Sequence, residues 1–112
     1  DPDQINEFAL INRHHVDVLT YFLDKLKNTP DGDGNLLDNS IVLYGSPMGD
    51  SNVHGHKRVP LVLVGHAAGS IQGNRHVRAP SDTPQANALL TVLQKLGMDN
   101  EVFGDSTGTF SI

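Results

Sequence analysis

Apolar residues near the start of the chain recur with the period of an α-helix. At about 100° per residue they fall on one face between residues 4 and 28. We predict a helix over 4–28, which Pro30 ends because a proline ring cannot continue a helix. The apolar face consists of Ile5, Phe8, Ile11, Leu19, Phe22, Leu23 and Leu26.

Two polar residues project into this apolar stripe. Asn12 and His15 lie within it, three residues apart, whereas His14 points to the polar side. If they are buried they need hydrogen-bonding partners. Two interpretations stay open: a buried polar pair that anchors the helix, or side chains presented to a ligand.

Two short apolar runs, Ile41–Tyr44 and Leu61–Val64, predict strands. Continuous apolar runs of this length suit strands buried on both faces of a parallel sheet. Residues 46–60 between them are polar and rich in Gly and Pro, and we expect a loop there that is too long for a hairpin turn. The carboxyl ends of parallel strands share one rim, where we expect Ser46, Asp50, Asn52, His54, His56 and His66.

The remaining segments complete a mixed pattern. Residues 31–35 predict a turn, because the calcium-loop pattern that they begin fails at Leu36 and Val42. Residues 66–82 are irregular, with short strands expected over 70–72 and 76–78. A second helix is expected to start near Thr83 as N-cap and to end at Gly97, followed by an extended tail. The order is helix–strand–long loop–strand–irregular segment–helix, which is α/β.

The composition limits the kinds of site that the chain can form. The chain has six His and no Cys, which excludes disulfides and thiolate ligands. It carries 13 Asp and Glu against 8 Lys and Arg, and its few aromatic residues argue against a nucleic-acid-binding module. No apolar run approaches the length of a membrane span. The charge is uneven, because residues 51–81 contain four basic residues and no acid.

His54, His56 and Asp50 are the candidate ligands of a divalent metal. Imidazole and carboxylate suit zinc, calcium or manganese, and Gly55 lets the backbone turn between the two His. Two solvated loop His are the open alternative. Ser46 follows a strand, but it lacks the Gly-x-Ser-x-Gly pattern of a nucleophile and is interpreted as a turn residue.

Arg75 and Arg78 flank His76 in the irregular segment. Arginine matches the geometry of phosphate and sulfate, so an anion clamp is one interpretation. A solvated loop is the other. No phosphate-cradling Gly-rich loop is present.

Several motifs in fixed order resemble the C-terminal part of the HXXSHH-motif family, bacterial exported proteins described as a domain of unknown function. The resemblance covers nearly the whole chain. It is carried by Ile11-Asn12, His15-Val16, Leu36–Ser46, Met48, Asp50, Asn52, His54, His56, Pro60–Leu63, Arg75-His76-x-Arg78, Thr83-Pro-x-Ala-Asn87 and Phe103–Gly108.

The family is similar to the alkaline phosphatase superfamily, and this implies several expectations. Residues 1–112 would be one partial domain, the C-terminal portion of a three-layer α/β sandwich, with the naming motif upstream of Asp1. His56, with Asp50 and His54, would hold a metal. The substrate-binding candidates would be Arg75, Arg78, Asn52, His15 and Asn12. The protein would be exported to the periplasm or the extracellular space.

Two functions follow as expectations, and whether the protein is an enzyme stays open. In the first, the full-length protein is a metal-dependent hydrolase of small phosphate or sulfate esters. In the second, it is a non-catalytic exported α/β module that binds a ligand. A truncated sheet exposes an edge, so self-association is also expected.

Overall fold

The computed structural model describes residues 1–112 and divides them into two compact units, Asp1–Leu37 and Asp38–Ile112. The first unit begins with helix α1, Pro2–Lys27, whose first turn is capped by the Asp1 carboxylate accepting from the Asp3 N–H. Strands β1 (Pro30–Asp31) and β2 (Gly34–Asn35) then form a minimal antiparallel hairpin. The predicted helix and the predicted turn are therefore confirmed.

The apolar face of α1 is mostly exposed, and only Leu19, Leu23 and Leu26 on it are half-buried. None of its 26 residues is classed as buried, and Asn12 and His15 are both exposed, so the interpretation of them as a buried pair is wrong. The physical reason is size, because the short β1–β2 hairpin is the only other element of this unit. Neither α1 nor the second helix is both long and apolar enough to cross a bilayer.

The second unit contains the two predicted strands, β3 (Val42–Gly45) and β4 (Leu61–Val64). They pair antiparallel, with Val42 opposite Val64 and Gly45 opposite Leu61. The predicted parallel sheet is thus wrong, because residues 46–60 form a hairpin connection and not a helical crossover. The strands are not buried on both faces either, since Leu43 and Val62 are 42% and 49% exposed.

The second helix, α2, spans Ala86–Lys95 and starts later than predicted. Thr83 is not its N-cap, because the Thr83 hydroxyl donates to the carbonyl of Pro80 (2.8 Å). The predicted end is confirmed. Gly97 has a φ of 83°, and the amides of Gly97 and Met98 donate back to Gln94 and Leu93 in a Schellman motif.

Residues 70–82 contain no strand, so the short strands expected over 70–72 and 76–78 are also wrong. Ile71 is buried and belongs to the small core of this unit. Helices and antiparallel strands together confirm the mixed α/β class. The three-layer sandwich remains an expectation. The buried residues of the unit are Ile71, Ala86, Asn87, Leu90 and Thr91.

Two buried polar side chains of α2 hold the C-terminal segment. The Asn87 side chain donates to the Thr107 hydroxyl (3.2 Å) and accepts from the Thr107 N–H (2.8 Å). The Thr91 hydroxyl donates to the Asn87 carbonyl and accepts from the Phe110 N–H (2.8 Å). We call these contacts the α2 clasp. They explain why polar residues occupy the inner face of α2, since each is satisfied there.

Replacement of Asn87 by Ala is expected to lower the free energy of unfolding by about 1–3 kcal/mol, because it leaves the Thr107 N–H without its acceptor. Urea denaturation followed by circular dichroism measures the change. Gln85→Ala is the control, because Gln85 is exposed beside the same helix and its side chain makes no cap hydrogen bond. Equal stability of the two variants would contradict a structural role for the clasp.

Candidate functional site

The connection between β3 and β4, residues 46–60, is a closed loop, which we call the binding loop. The Ser46 N–H donates to the Pro60 carbonyl and continues the strand ladder by one bond. Further out, Asp50 and Gly55 form an isolated antiparallel bridge, with the Gly55 N–H donating to the Asp50 carbonyl (2.8 Å). The backbone of the loop is therefore fixed by its own hydrogen bonds at two places, at its base and nearer its tip.

Gly49 lies where two backbone segments of the loop approach each other closely. Its N–H donates to the Gly55 carbonyl (2.9 Å). A Cβ at this position would overlap the Lys57 carbonyl oxygen and lie 2.9 Å from that of Arg58. Both obstacles are backbone atoms, which cannot move aside as a flexible side chain would. Glycine is thus required here by a close approach of two backbone segments.

A cleft of about 460 Å³ opens on this loop. Its lining includes three residues that carry cationic or potentially cationic side chains and one acidic residue. The lining residues are Gly49, Asp50, Val53, Gly55, His56, Lys57 and Arg58.

His56 is held in one orientation. Its Nδ1 lies 2.9 Å from the Pro47 carbonyl oxygen. Because a carbonyl only accepts, Nδ1 carries the proton in this contact, and in the neutral ring Nε2 then keeps its lone pair. A ring nitrogen fixed by a backbone carbonyl is also the usual support of a metal-bound His.

One oxygen of the Asp50 carboxylate is engaged by the backbone of the loop tip. Its Oδ1 accepts from the Asn52 N–H (3.0 Å), an Asx turn that shapes the loop tip. His54 is exposed and does not line the cleft. No group of three or more His, Asp or Glu side chains in the chain is placed to hold a metal ion. Asp50, His54 and His56 therefore do not fit a complete metal site, although His56 alone has the support of one ligand.

Two residues flanking His56 have strained backbones. His54 and Arg58 have φ angles of 51° and 55°, in the left-handed region that non-glycine residues seldom adopt. Such strain costs of order 1–3 kcal/mol per residue and persists where surrounding contacts impose it. His54 directly precedes the Gly55 of the Asp50–Gly55 bridge, and the Arg58 carbonyl lies at the close approach to Gly49, so both strained residues sit where the loop backbone is constrained.

The arginine candidates lie elsewhere in the second unit. Arg75 donates to the Gln72 side chain (2.7 Å) and to the Ser111 carbonyl (3.3 Å), so part of its guanidinium ties down the C-terminus. Arg78 is exposed, and neither lines the cleft. Asn52 contributes its backbone N–H to the loop tip. Asn12 and His15 belong to the first unit, on α1.

The shared rim expected from a parallel sheet does not exist. In the antiparallel pair, Ser46 follows the end of β3, whereas His66 follows the opposite end of the sheet, beyond Val64. His66 instead approaches the Ile71 carbonyl. The Ser46 hydroxyl accepts from the Met48 N–H (3.1 Å), which confirms the turn interpretation of Ser46.

Lys57 and Arg58 are lining residues that were not singled out as site candidates from the sequence. Their signal was present, because they follow His56 directly inside the acid-free segment 51–81. The positive φ of Arg58 and the close approach of the Lys57 and Arg58 carbonyls to Gly49 are features that composition does not reveal.

Comparison of the chain with family models, curated proteins and solved structures found no match.

When the His56 imidazole is neutral, its ring proton is expected to be on Nδ1, because the Pro47 carbonyl accepts from that nitrogen. Long-range ¹H–¹⁵N NMR correlation of the imidazole nitrogens reports the tautomer. His14 is the reference, as an exposed His on α1. A His56 spectrum indistinguishable from that of His14 would show that the Pro47 contact does not hold the ring in solution.

Proposed function

We propose that this protein is a non-catalytic α/β module that binds a small anion of the phosphate or sulfate class in the cleft of the binding loop. The observation that carries the proposal is the set of residues that line the cleft. Lys57, Arg58 and His56 line it together with a single acid, Asp50, one carboxylate oxygen of which accepts from the Asn52 N–H.

Local electrostatics support this function despite the net charge of −5. The acid-free segment 51–81 includes most of the cleft, so an approaching anion meets basic side chains first. Arg58 offers planar paired donors, and Lys57 offers a mobile ammonium group. Because these groups are exposed, each contributes little to the free energy of binding. We therefore expect a dissociation constant for the anion on the order of 1 mM.

The resemblance to the HXXSHH-motif family extends the proposal to the whole protein. It supports an exported protein, in the periplasm or outside the cell, of which residues 1–112 form the C-terminal part of a larger α/β domain. Asn52, at the tip of the same loop, remains a proposed additional contact to the ligand, whereas Arg75 and Arg78 do not line the cleft.

A second candidate function is a metal-dependent hydrolase of phosphate or sulfate esters. One observation favours it: the Pro47 carbonyl holds His56 as a metal-bound His is commonly held. His56 would be one ligand of zinc, calcium or manganese, with Asp50 and His54 as further candidates. These three do not form a complete site by themselves.

The anion proposal predicts that Lys57→Ala/Arg58→Ala weakens binding of inorganic phosphate or sulfate by about tenfold or more, since two cations leave the cleft. Titration monitored by ¹H–¹⁵N NMR measures the affinity and shows which amides shift. Arg13→Ala/Lys27→Ala is the matched control, because it removes one Arg and one Lys from α1. If both double variants weaken anion binding equally, the loss is explained by net charge alone, and the cleft is not the anion-binding site.

The hydrolase candidate predicts that His56→Gln lowers the amount of zinc or manganese bound at saturation, because one ligand is lost. Isothermal titration and elemental analysis of the purified chain give the stoichiometry. His14→Gln is the control. If the chain binds no metal, or if both variants bind the same amount, His56 is not a metal ligand. Either result leaves the anion-binding proposal unaffected.

A further inference from the structure

The binding loop carries a hydrogen-bond acceptor as well as cations, and the acceptor bears on which anion the loop binds. Asp50 is exposed and lines the cleft together with Lys57 and Arg58. Its Oδ1 accepts from the Asn52 N–H, whereas its Oδ2 accepts from no group of the protein. One carboxylate oxygen of a residue that lines the cleft is therefore available to a ligand.

The acid and the two bases of the cleft do not neutralise one another. Neither Lys57 nor Arg58 forms an ion pair with Asp50, although all three residues line the same cleft. If they were paired, each charge would already have a partner. Because they are not, the two cations can attract an anion while the carboxylate can still accept a hydrogen bond from it.

The backbone amides nearer the tip of the loop are already used. The N–H groups of Gly49, Asp50 and Gly55 all donate within the loop, to the carbonyls of Gly55 and Asp50. The attraction for an anion therefore comes mainly from Lys57 and Arg58. An anion that these two side chains hold in the cleft lies in the same cleft as Asp50.

An acceptor in an anion site distinguishes anions by the hydrogens that they carry. An ionised carboxylate accepts hydrogen bonds and cannot donate one, so the hydrogen must come from the ligand. Sulfate has no hydrogen at neutral pH, and its oxygens would meet the Asp50 carboxylate as like charges, which disfavours its binding. Hydrogen phosphate has the same tetrahedral shape and the same double negative charge, but it can donate from its P–OH group.

His56 adds a second acceptor whenever its ring is neutral. Because its Nδ1–H donates to the Pro47 carbonyl, Nε2 then holds a lone pair and cannot donate to an oxyanion. In that form His56 also favours a ligand that brings its own hydrogen. The contribution of Asp50 can be separated from it, because a substitution of Asp50 leaves the imidazole in place.

We infer that Asp50 is the specificity-determining residue of the binding loop: it accepts a hydrogen bond from the P–OH group of hydrogen phosphate and so favours this anion over sulfate and over phosphate esters that carry no proton. The proton stays on the phosphate, and no covalent bond is formed or broken. The inference rests on the anion-binding function proposed above, because it concerns the choice among anions in the same cleft.

The selectivity is tested with three anions of equal charge. At about pH 8 hydrogen phosphate, sulfate and methyl phosphate are mostly dianions, and only hydrogen phosphate has a hydrogen to donate. Titration of the whole chain with each anion, monitored by ¹H–¹⁵N NMR, gives the three dissociation constants. We expect hydrogen phosphate to bind about fivefold more tightly than either of the others, a modest ratio because Asp50 is exposed.

Asp50→Asn tests whether this side chain is the cause. The amide oxygen can still accept from the Asn52 N–H and keep the turn at the loop tip, whereas the other carboxylate oxygen is replaced by an NH₂ donor. We expect the preference for hydrogen phosphate to disappear. Asp99→Asn is the matched control, because Asp99 is an exposed acid of the same unit that does not line the cleft. This control should keep the preference.

Two results would overturn the inference and leave the anion-binding function in place. The first is equal affinity of the unaltered protein for the three anions, and the second is a preference that persists in Asp50→Asn. In both cases Lys57→Ala/Arg58→Ala would still weaken binding. If none of the three anions binds, the proposed function is refuted and the inference with it.

Discussion

The antiparallel pairing of β3 with β4 is the constraint on which the candidate site depends. Because Gly45 lies opposite Leu61, the fifteen or so residues between them must return to their starting point, and the loop closes on itself. Its arms approach until only a glycine fits at position 49. The residues that follow, from His56 to Arg58, line one cleft although all three are exposed and none packs in a core.

The helices could largely be predicted from the sequence, whereas the relation between the strands could not. The period of α1, the Pro30 stop and the Gly97 cap are local signals, and the structure confirms them. Strand direction is not local: the apolar runs at 42–45 and 61–64 are compatible with either direction, and only the pairing decides. The prediction that six side chains share one rim of the sheet was wrong for that reason.

The start of α2 and the burial of α1 show the same limit. Thr83 fits the capping preference, but its hydroxyl has a nearer acceptor in the Pro80 carbonyl. Asn12 and His15 were placed correctly within the apolar stripe, yet the stripe itself is exposed. At the site, sequence spacing pointed to Asp50 and His56, which do line the cleft, and overlooked Lys57 and Arg58, of which Arg58 has a positive φ that no sequence pattern indicates.

The α2 clasp has a consequence for the order in which the second unit is completed during synthesis. Asn87 and Thr91 lie about twenty residues before Thr107 and Phe110, the residues that they hold. The residues that satisfy the buried amide and hydroxyl of α2 are therefore made after the helix itself. Until residues 107–110 have been synthesised and have docked, water must hydrogen-bond to these groups. The inner face of α2 thus becomes dry only once the segment that follows the helix has folded back onto it.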